Sequence, residues 1–384
     1  MDLQKEIDIL DGMLNFSVPT IPENTRFWMI RTQKGYFYNE FITKRFVALA
    51  WNLIDESTDF SEKSREFLKD DILIEFEEIH RPSTVINKCF SFIHEIKEGD
   101  ILIIPNAGSQ YITLATAGTY FEDSSKTVEL EHRVISKIEN NDVDIDDVSC
   151  PYKKRRHIHL LRTIKNEDLN YSLCRAISNY HGLSNMDSYA NHILNALYNY
   201  YIFKDTTALV YNVRKSSPIR PRELGGILYG TTELLSQVTD EENISTQVSL
   251  NSPGEIVFYI LNFCKDNWMC AFGLLIFLGG GSALTFKVPG LIDIIKSILN
   301  APSEHQKKQA TADLKSLEVL EKKLAIYEKI KASGINPETL TQPIETIAKS
   351  GSLLQVEPIT LSDEDVAILS KEAAAPESHD VDEG

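Results

Sequence analysis

The residues of this 384-residue chain best placed to do chemistry are four adjacent cations, Lys153, Lys154, Arg155 and Arg156, standing just before the run HIHLLRTI. Four cations on a turn can grip a phosphate backbone, which fixes register on a polyanion without reading its sequence. An ordinary solvated loop is the competing reading. His157 and His159 alternate on a predicted strand and so share one face, as a metal pair would. No third ligand stands at a recognisable spacing, so packing or hydrogen bonding is their expected role. Asp70, Asp71, Glu75 and Glu77 fall in a polar, helix-compatible stretch, without the strand context that a magnesium-holding nuclease site requires. DLKSLEVLEKK has the letters of such a site but the same wrong context. There is no phosphate loop ending in Gly-Lys-Ser or Gly-Lys-Thr, no HExxH and no GxSxG. No catalytic residue, metal ligand or cofactor site is expected.

The elements that must position these groups are legible around them. RFWMIRT (Arg26 to Thr32) and RFVALAW (Arg45 to Trp51) carry the β-branched and aromatic bulk of strands, separated by a turn through Gln33, Lys34 and Gly35. INKCFSFIHEIKEGD repeats Ile86, Cys89, Phe92, Ile93 and Ile96 at helical spacing and stops at Gly99. DILIIP and QYITLATAGTYF follow as two more strands, and RHIHLLRTI (Arg156 to Ile164) as a fifth, after the acidic insertion ENNDVDIDD. Strands separated by turns and one or two helices fit a small mixed barrel.

Composition bounds the partners. A hydrophobic content of 42% supports packed cores, and the length calls for two or three modules. The formal charge of −17 argues against a general nucleic-acid coat, whose affinity comes from lysine and arginine neutralising phosphates; any such contact must be local. Cys89, Cys150, Cys174, Cys264 and Cys270 form no CxxC pair, and the start MDLQKEID lacks the basic and apolar runs of a signal peptide. A cytoplasmic setting is expected, with inner-membrane association as its variant. The acidic residues Asp363, Glu364, Asp365, Glu372, Glu377, Asp380, Asp382 and Glu383 face one lysine, Lys371, and read as a solvated, partly disordered tail.

The order FWMIRT, VALAW, a helix running into EGDILIIP, YITLATAGTYF and HIHLLRTI resembles the PUA-like modules, related to EVE and YTH domains, of bacterial modification-dependent restriction enzymes. The resemblance covers residues 26–164. Its most specific piece is the Gly99-Asp100 turn feeding one strand and then a second that ends in Gly118 and Tyr120. Ala50 stands where such modules often carry a glycine before the tryptophan. The resemblance implies a reader that takes a flipped base or modified nucleotide between aromatic rings, since every base has a π-face and unstacking costs a few kcal/mol. Trp28, Trp51, Tyr36, Tyr38, Tyr111 and Tyr120 are the candidate walls; the same rings serve equally as strand-packing residues.

Beyond Ile164 the pattern reads as helical: Tyr189, Ile193, Leu197 and Tyr201 recur every fourth residue, and a basic loop carries Arg214, Lys215, Arg220 and Arg222. Trp268 to Phe286 is free of charge over nearly the length of a membrane-spanning helix, yet Gly279, Gly280 and Gly281 break it. A membrane segment, a buried hairpin and an oligomer interface all remain open. Leu291, Ile294, Ile295 and Leu299 make one apolar face. Leu314, Leu317, Leu320, Leu324 and Tyr327 recur at three and four, with Gly334 as the stop, either for self-association or for packing within the domain.

The expected fold is therefore α+β, with an N-terminal PUA-like mixed β-barrel, a helical middle, and a C-terminal part holding an apolar hairpin or membrane segment and a long amphipathic helix. The expected divisions are 1–165 (reader), 166–245 (helical linker), 246–300 (hydrophobic segment), 301–350 (amphipathic helix) and 351–384 (acidic tail). The resemblance implies a bacterial defence-type sensor of nucleic acid or a nucleotide, and the uncharged run Trp268 to Phe286 adds the expectation that the hydrophobic region acts through a membrane or through homo-oligomeric assembly. A restriction-like nuclease with an unrecognised metal site and a non-catalytic protein-binding adaptor are the alternatives.

Overall fold

A computed structural model describes residues 3–14, 19–140, 149–180, 182–237, 239–249, 254–261, 291–299, 314–332 and 335–357. The chain divides into two compact units, one of Asn24–Ile193 and one of Met1–Glu23 with Leu194–Thr360. Helix α1 (Leu3–Leu14) and the short strand β1 (Thr20–Ile21) open the chain and belong to the second of these.

The Asn24–Ile193 unit contains β2 (Phe27–Arg31), α2 (Tyr38–Lys44), β3 (Phe46–Leu49), α3 (Glu62–Glu75), α4 (Pro82–Phe90), β4 (Ile101–Pro105), β5 (Tyr111–Glu122), α5 (Val128–Glu139), β6 (Lys154–Lys165), α6 (Tyr171–Asn179) and β7 (Gly182–Asn185). Its strands form one curled, half-barrel sheet in the order β3-β6-β5-β4-β2-β7. Among the described residues of this sheet only β2 and β4 run parallel, Trp28 lying opposite Leu102. All five residues of β4 are buried, and its apolar side chains form the continuous run expected of a strand covered on both faces. The Gly99-Asp100 turn fixes that parallel pair. Gly99 takes a left-handed backbone (φ +84°), and the Asp100 carboxylate accepts the N–H groups of Arg26 (3.0 Å) and Lys97 (2.9 Å) and the indole N–H of Trp28 (3.1 Å). Helix α4 runs into a π-turn at Ser91–Glu95, which puts Phe92 and Ile93 in the core with Ile86 and Cys89.

The second unit holds a six-stranded sheet. After α7 (Ala190–Leu197) come β8 (Tyr200–Phe203), β9 (Thr206–Val213), α8 (Pro221–Leu235), β10 (Ile244–Ser249), β11 (Gly254–Leu261), α9 (Leu291–Leu299), α10 (Leu314–Ala332), α11 (Pro337–Leu353) and β12 (Val356–Glu357). The strand order is β1-β8-β9-β11-β10, with β12 beside β9. The expectation of a helical middle is corrected here. The every-fourth spacing through Tyr189, Ile193 and Leu197 ends with α7, and Tyr200, Tyr201, Ile202 and Phe203, aromatic and β-branched, form a strand instead. The region read as a helical linker contributes β8 and β9 to this sheet and β7 to the sheet of the Asn24–Ile193 unit.

Close approach of α8 and α11 depends on glycine. A Cβ on Gly230 would lie 2.7 Å from Ile347 Cγ1 and 3.1 Å from the Pro343 carbonyl oxygen, so the two helix backbones nearly touch there. The predicted C-terminal helix is present as α10 and packs on its own unit: Ile326 and Ile330 are buried, and Lys323 pairs with Glu6 of α1 at 2.6 Å. Ile294, Ile295, Ile298 and Leu299 of α9 join the same core. The apolar segment Trp268 to Phe286 and the acidic tail lie outside the described residues; among those described, no helix is long and apolar enough to cross a membrane.

Candidate nucleotide-binding site

Two of the six candidate aromatics, Trp51 and Tyr120, are linked by one polar network at the end of β3. Trp51 leaves the strand with a left-handed backbone (φ +67°), a conformation that costs a residue with a Cβ roughly 1–2 kcal/mol. The surrounding groups hold it there. Glu131 on α5, 3% exposed, accepts the backbone N–H of Trp51 through Oε1 and that of Asn52 through Oε2, each at 2.7 Å. Lys154 Nζ donates to the carbonyls of Trp51 (2.6 Å) and Ile54 (2.7 Å). Asn52 donates to the carbonyls of Thr127 and Pro151 and accepts the Lys153 N–H at 2.8 Å. The loop from Trp51 to Ile54 is thereby tied from both backbone directions by buried side chains.

The network continues to Tyr120. Lys153 Nζ lies 2.6 Å from Asp55 and 3.2 Å from Glu122, and Glu122 accepts the Tyr120 hydroxyl at 2.6 Å and the Glu56 N–H at 2.8 Å. Trp51 and Tyr120 are both half-buried and pack on the rim of the same core. Burial pushes the carboxyls of Asp55 and Glu122 up, but the hydrogen bonds and the charge of Lys153, with the Tyr120 hydroxyl at Glu122, bring both below the usual carboxylate range. Burial and the adjoining Glu122 carboxylate hold the Tyr120 phenol firmly protonated.

The other four aromatics lie elsewhere in this unit. Trp28 is 3% exposed, its indole N–H spent on Asp100 and the Arg26 guanidinium 4.4 Å over its ring. It is a packing residue of the parallel pair. Tyr36 meets Phe37 edge-on, and the Tyr38 hydroxyl shares a hydrogen bond with Thr113 at 2.6 Å. Tyr111 stands exposed at the start of β5.

Strand alternation divides the basic run. Lys154 and Arg156 point into the unit, buried at 0% and 4% exposure; Arg156 donates to the carbonyl of Gly118 (2.8 Å) and to that of Phe92 in the π-turn (3.2 Å). Lys153 is held by Asp55 and Glu122 as above. Arg155 pairs with Asp123 at 3.1 Å and lies 4.5 Å over the Phe46 ring. Each of the four cations therefore has partners inside the protein, which fits structural struts better than a phosphate grip. Adjacent residues on a strand face opposite ways, so the clustering of charge in the sequence does not survive as one patch. His157 stacks on Phe121 at 4.3 Å, and among the described residues no three His, Cys, Asp or Glu side chains converge to hold a metal ion.

Glu131, Asn52 and Asp55 belong to this site and were not singled out by sequence reasoning. A carboxylate within an amphipathic helix looks like a solvated one. The signal was indirect: VALAW runs directly into Asn52, a residue that tolerates and braces left-handed turns. Compared with known proteins, the chain matches no family model, no curated protein and no solved structure.

Proposed function

We propose that the Asn24–Ile193 unit is a PUA-like reader that binds a nucleobase of a nucleic acid, or a free nucleotide, at the Trp51 loop, and that the chain serves as a defence-type sensor. The observation that carries this reading is the left-handed Trp51, a half-buried indole on a backbone braced by Glu131 and Lys154. Sparsely populated backbone conformations persist where the surroundings over-determine them, and such strain is concentrated at ligand clamps. A loop whose backbone is held in place before binding presents its ring to a flat ligand without the cost of ordering that backbone first. The motif order and its Gly99-Asp100 turn, which carry the PUA-like resemblance, support this reading.

The internal commitment of Lys153, Lys154, Arg155 and Arg156 makes the reading base-centred. Stacking and edge hydrogen bonds supply affinity, with little phosphate neutralisation. The second unit and the apolar segment at Trp268 to Phe286 are the proposed output, by assembly or membrane insertion.

The test is titration of the purified chain with nucleotides and with modified and unmodified single- and double-stranded DNA and RNA at low salt, for the wild type and Trp51→Gly. Binding abolished by the substitution supports the reader; no binding to any of these ligands rules it out. Fractionation of cells with and without the bound ligand tests the membrane form of the output, which fails if the chain stays wholly soluble.

A further inference from the structure

The far edge of the second sheet, β10, is unusual in what it lacks. All four central residues, Ser245, Thr246, Gln247 and Val248, are exposed, so side chains on both faces of the strand reach solvent. Among the described residues, β10 pairs only with β11, Thr246 opposite Phe258. Folded proteins usually blunt such an edge with a lysine, a proline, a bulge or a covering segment, because an open row of N–H and C=O groups is a template for another strand. Ile244 to Ser249 carries no charge and no proline, in a chain whose net charge is −17.

We propose that β10 pairs antiparallel with β10 of a second copy of this chain, making one continuous sheet across a two-fold axis. Charge selects both the occupant and the direction. The exposed acids Asp240, Glu241 and Glu242 stand immediately before β10. Parallel pairing would set the two acidic triplets side by side, whereas antiparallel pairing centred on Thr246 or Gln247 moves them to opposite ends of the strand pair, roughly 30 Å apart at about 3.3 Å per residue. An uncharged strand can meet an identical one without like-charge repulsion across the ladder. Opposed residues of an antiparallel pair share a sheet face, so the two-fold axis must place one residue opposite its own copy.

That last requirement gives the test. In the full-length chain, Ser245, Thr246, Gln247 and Val248 are replaced singly by cysteine and mildly oxidised, with the wild type as background for the native thiols. A disulfide-linked dimer concentrated at one position and falling away on either side is the expected result. Sedimentation velocity across a concentration series shows a reversible dimer, weak because one strand pair is a small interface. Thr246→Lys and Val248→Lys, each at an exposed position and each checked for an unchanged melting temperature, weaken dimerisation at least tenfold. A chain that stays monomeric throughout the series, a dimer indifferent to both lysine variants, or cross-linking equal at all four positions overturns the proposal.

Discussion

The Glu131 carboxylate accepts the backbone N–H of Trp51 at 2.7 Å across 80 residues of sequence, and Lys154 closes on the carbonyl of the same residue at 2.6 Å. Both side chains are buried, and both bond the backbone of Trp51. The first prediction concerns this brace. Glu131→Ala leaves the N–H groups of Trp51 and Asn52 without their acceptor and takes one nearby opposite charge from buried Lys154, so it costs about 3–5 kcal/mol. Lys154→Met costs a similar amount. Because each single change strands the same loop, the double variant Glu131→Ala/Lys154→Met is less destabilised than the sum, by roughly 1–3 kcal/mol. Denaturant unfolding of the four proteins measures this; strict additivity contradicts the shared brace.

How much of this was legible in the sequence depended on the range over which each feature is determined. Strands β2 to β6 could be read because their apolar content is local and bounded by turn residues, and the turn before β4 because Gly99 and Asp100 adjoin what they support. The helical reading of Tyr200 to Phe203 failed because one helical repeat was extended past the end of α7 onto residues whose own preference is extended. The basic run misled in a different way: four cations adjacent in sequence become two internal and two flanking on a strand, and only long-range partners such as Asp55, Glu122 and Gly118 decide what each one does. Glu131 was invisible for the same reason, since its partners lie 79 and 80 residues away.

Separation of the Trp51 backbone from its ring is the second prediction. Trp51→Gly relieves the left-handed strain, offsetting the lost packing of a half-buried side chain, and so shifts stability by no more than about 1 kcal/mol. Trp51→Ala keeps the strain and loses the packing, so it is the less stable of the two. Both variants lose nucleotide binding, and Trp51→Phe retains part of it. Thermal melts beside binding titrations check the split; equal binding by Trp51→Gly and wild type would remove the ring from the site.

Acid stability gives the third. Asp55 and Glu122 have depressed folded-state pKa values, so the stability they contribute is fully present above their unfolded values, near pH 4, and is lost as pH falls through the folded ones. Lys153→Met removes the partner common to both. Between pH 5 and pH 3 its melting temperature falls less steeply than that of the wild type. Parallel curves would show that the Lys153 cluster contributes no acid sensitivity.

The α8–α11 contact supplies the fourth. A Cβ at Gly230 would force the Ile347 side chain or the Pro343 backbone to shift, so Gly230→Ala destabilises by about 1–3 kcal/mol. A Cβ at Gly226 would overlap the Ser350 hydroxyl and lie 3.0 Å from Ser350 Cβ, whereas nothing lies within 4 Å of a Cβ at Gly225. Gly225→Ala therefore gains the helix propensity of alanine, roughly 0.5–1 kcal/mol, and Gly226→Ala/Ser350→Ala is more stable than Gly226→Ala alone. Urea unfolding ranks the four.

The central claim, a base-centred reader at the Trp51 loop, is tested most directly by the salt dependence of binding, measured from 50 to 300 mM on the tightest nucleotide or oligonucleotide ligand with wild type and Trp51→Gly in parallel. Wild-type affinity is expected to fall with a shallow slope, equivalent to about one or two phosphates neutralised, and Trp51→Gly to bind at least tenfold more weakly at every salt concentration. A steep slope with Trp51→Gly binding as well as wild type would place recognition on a cationic surface elsewhere and contradict it.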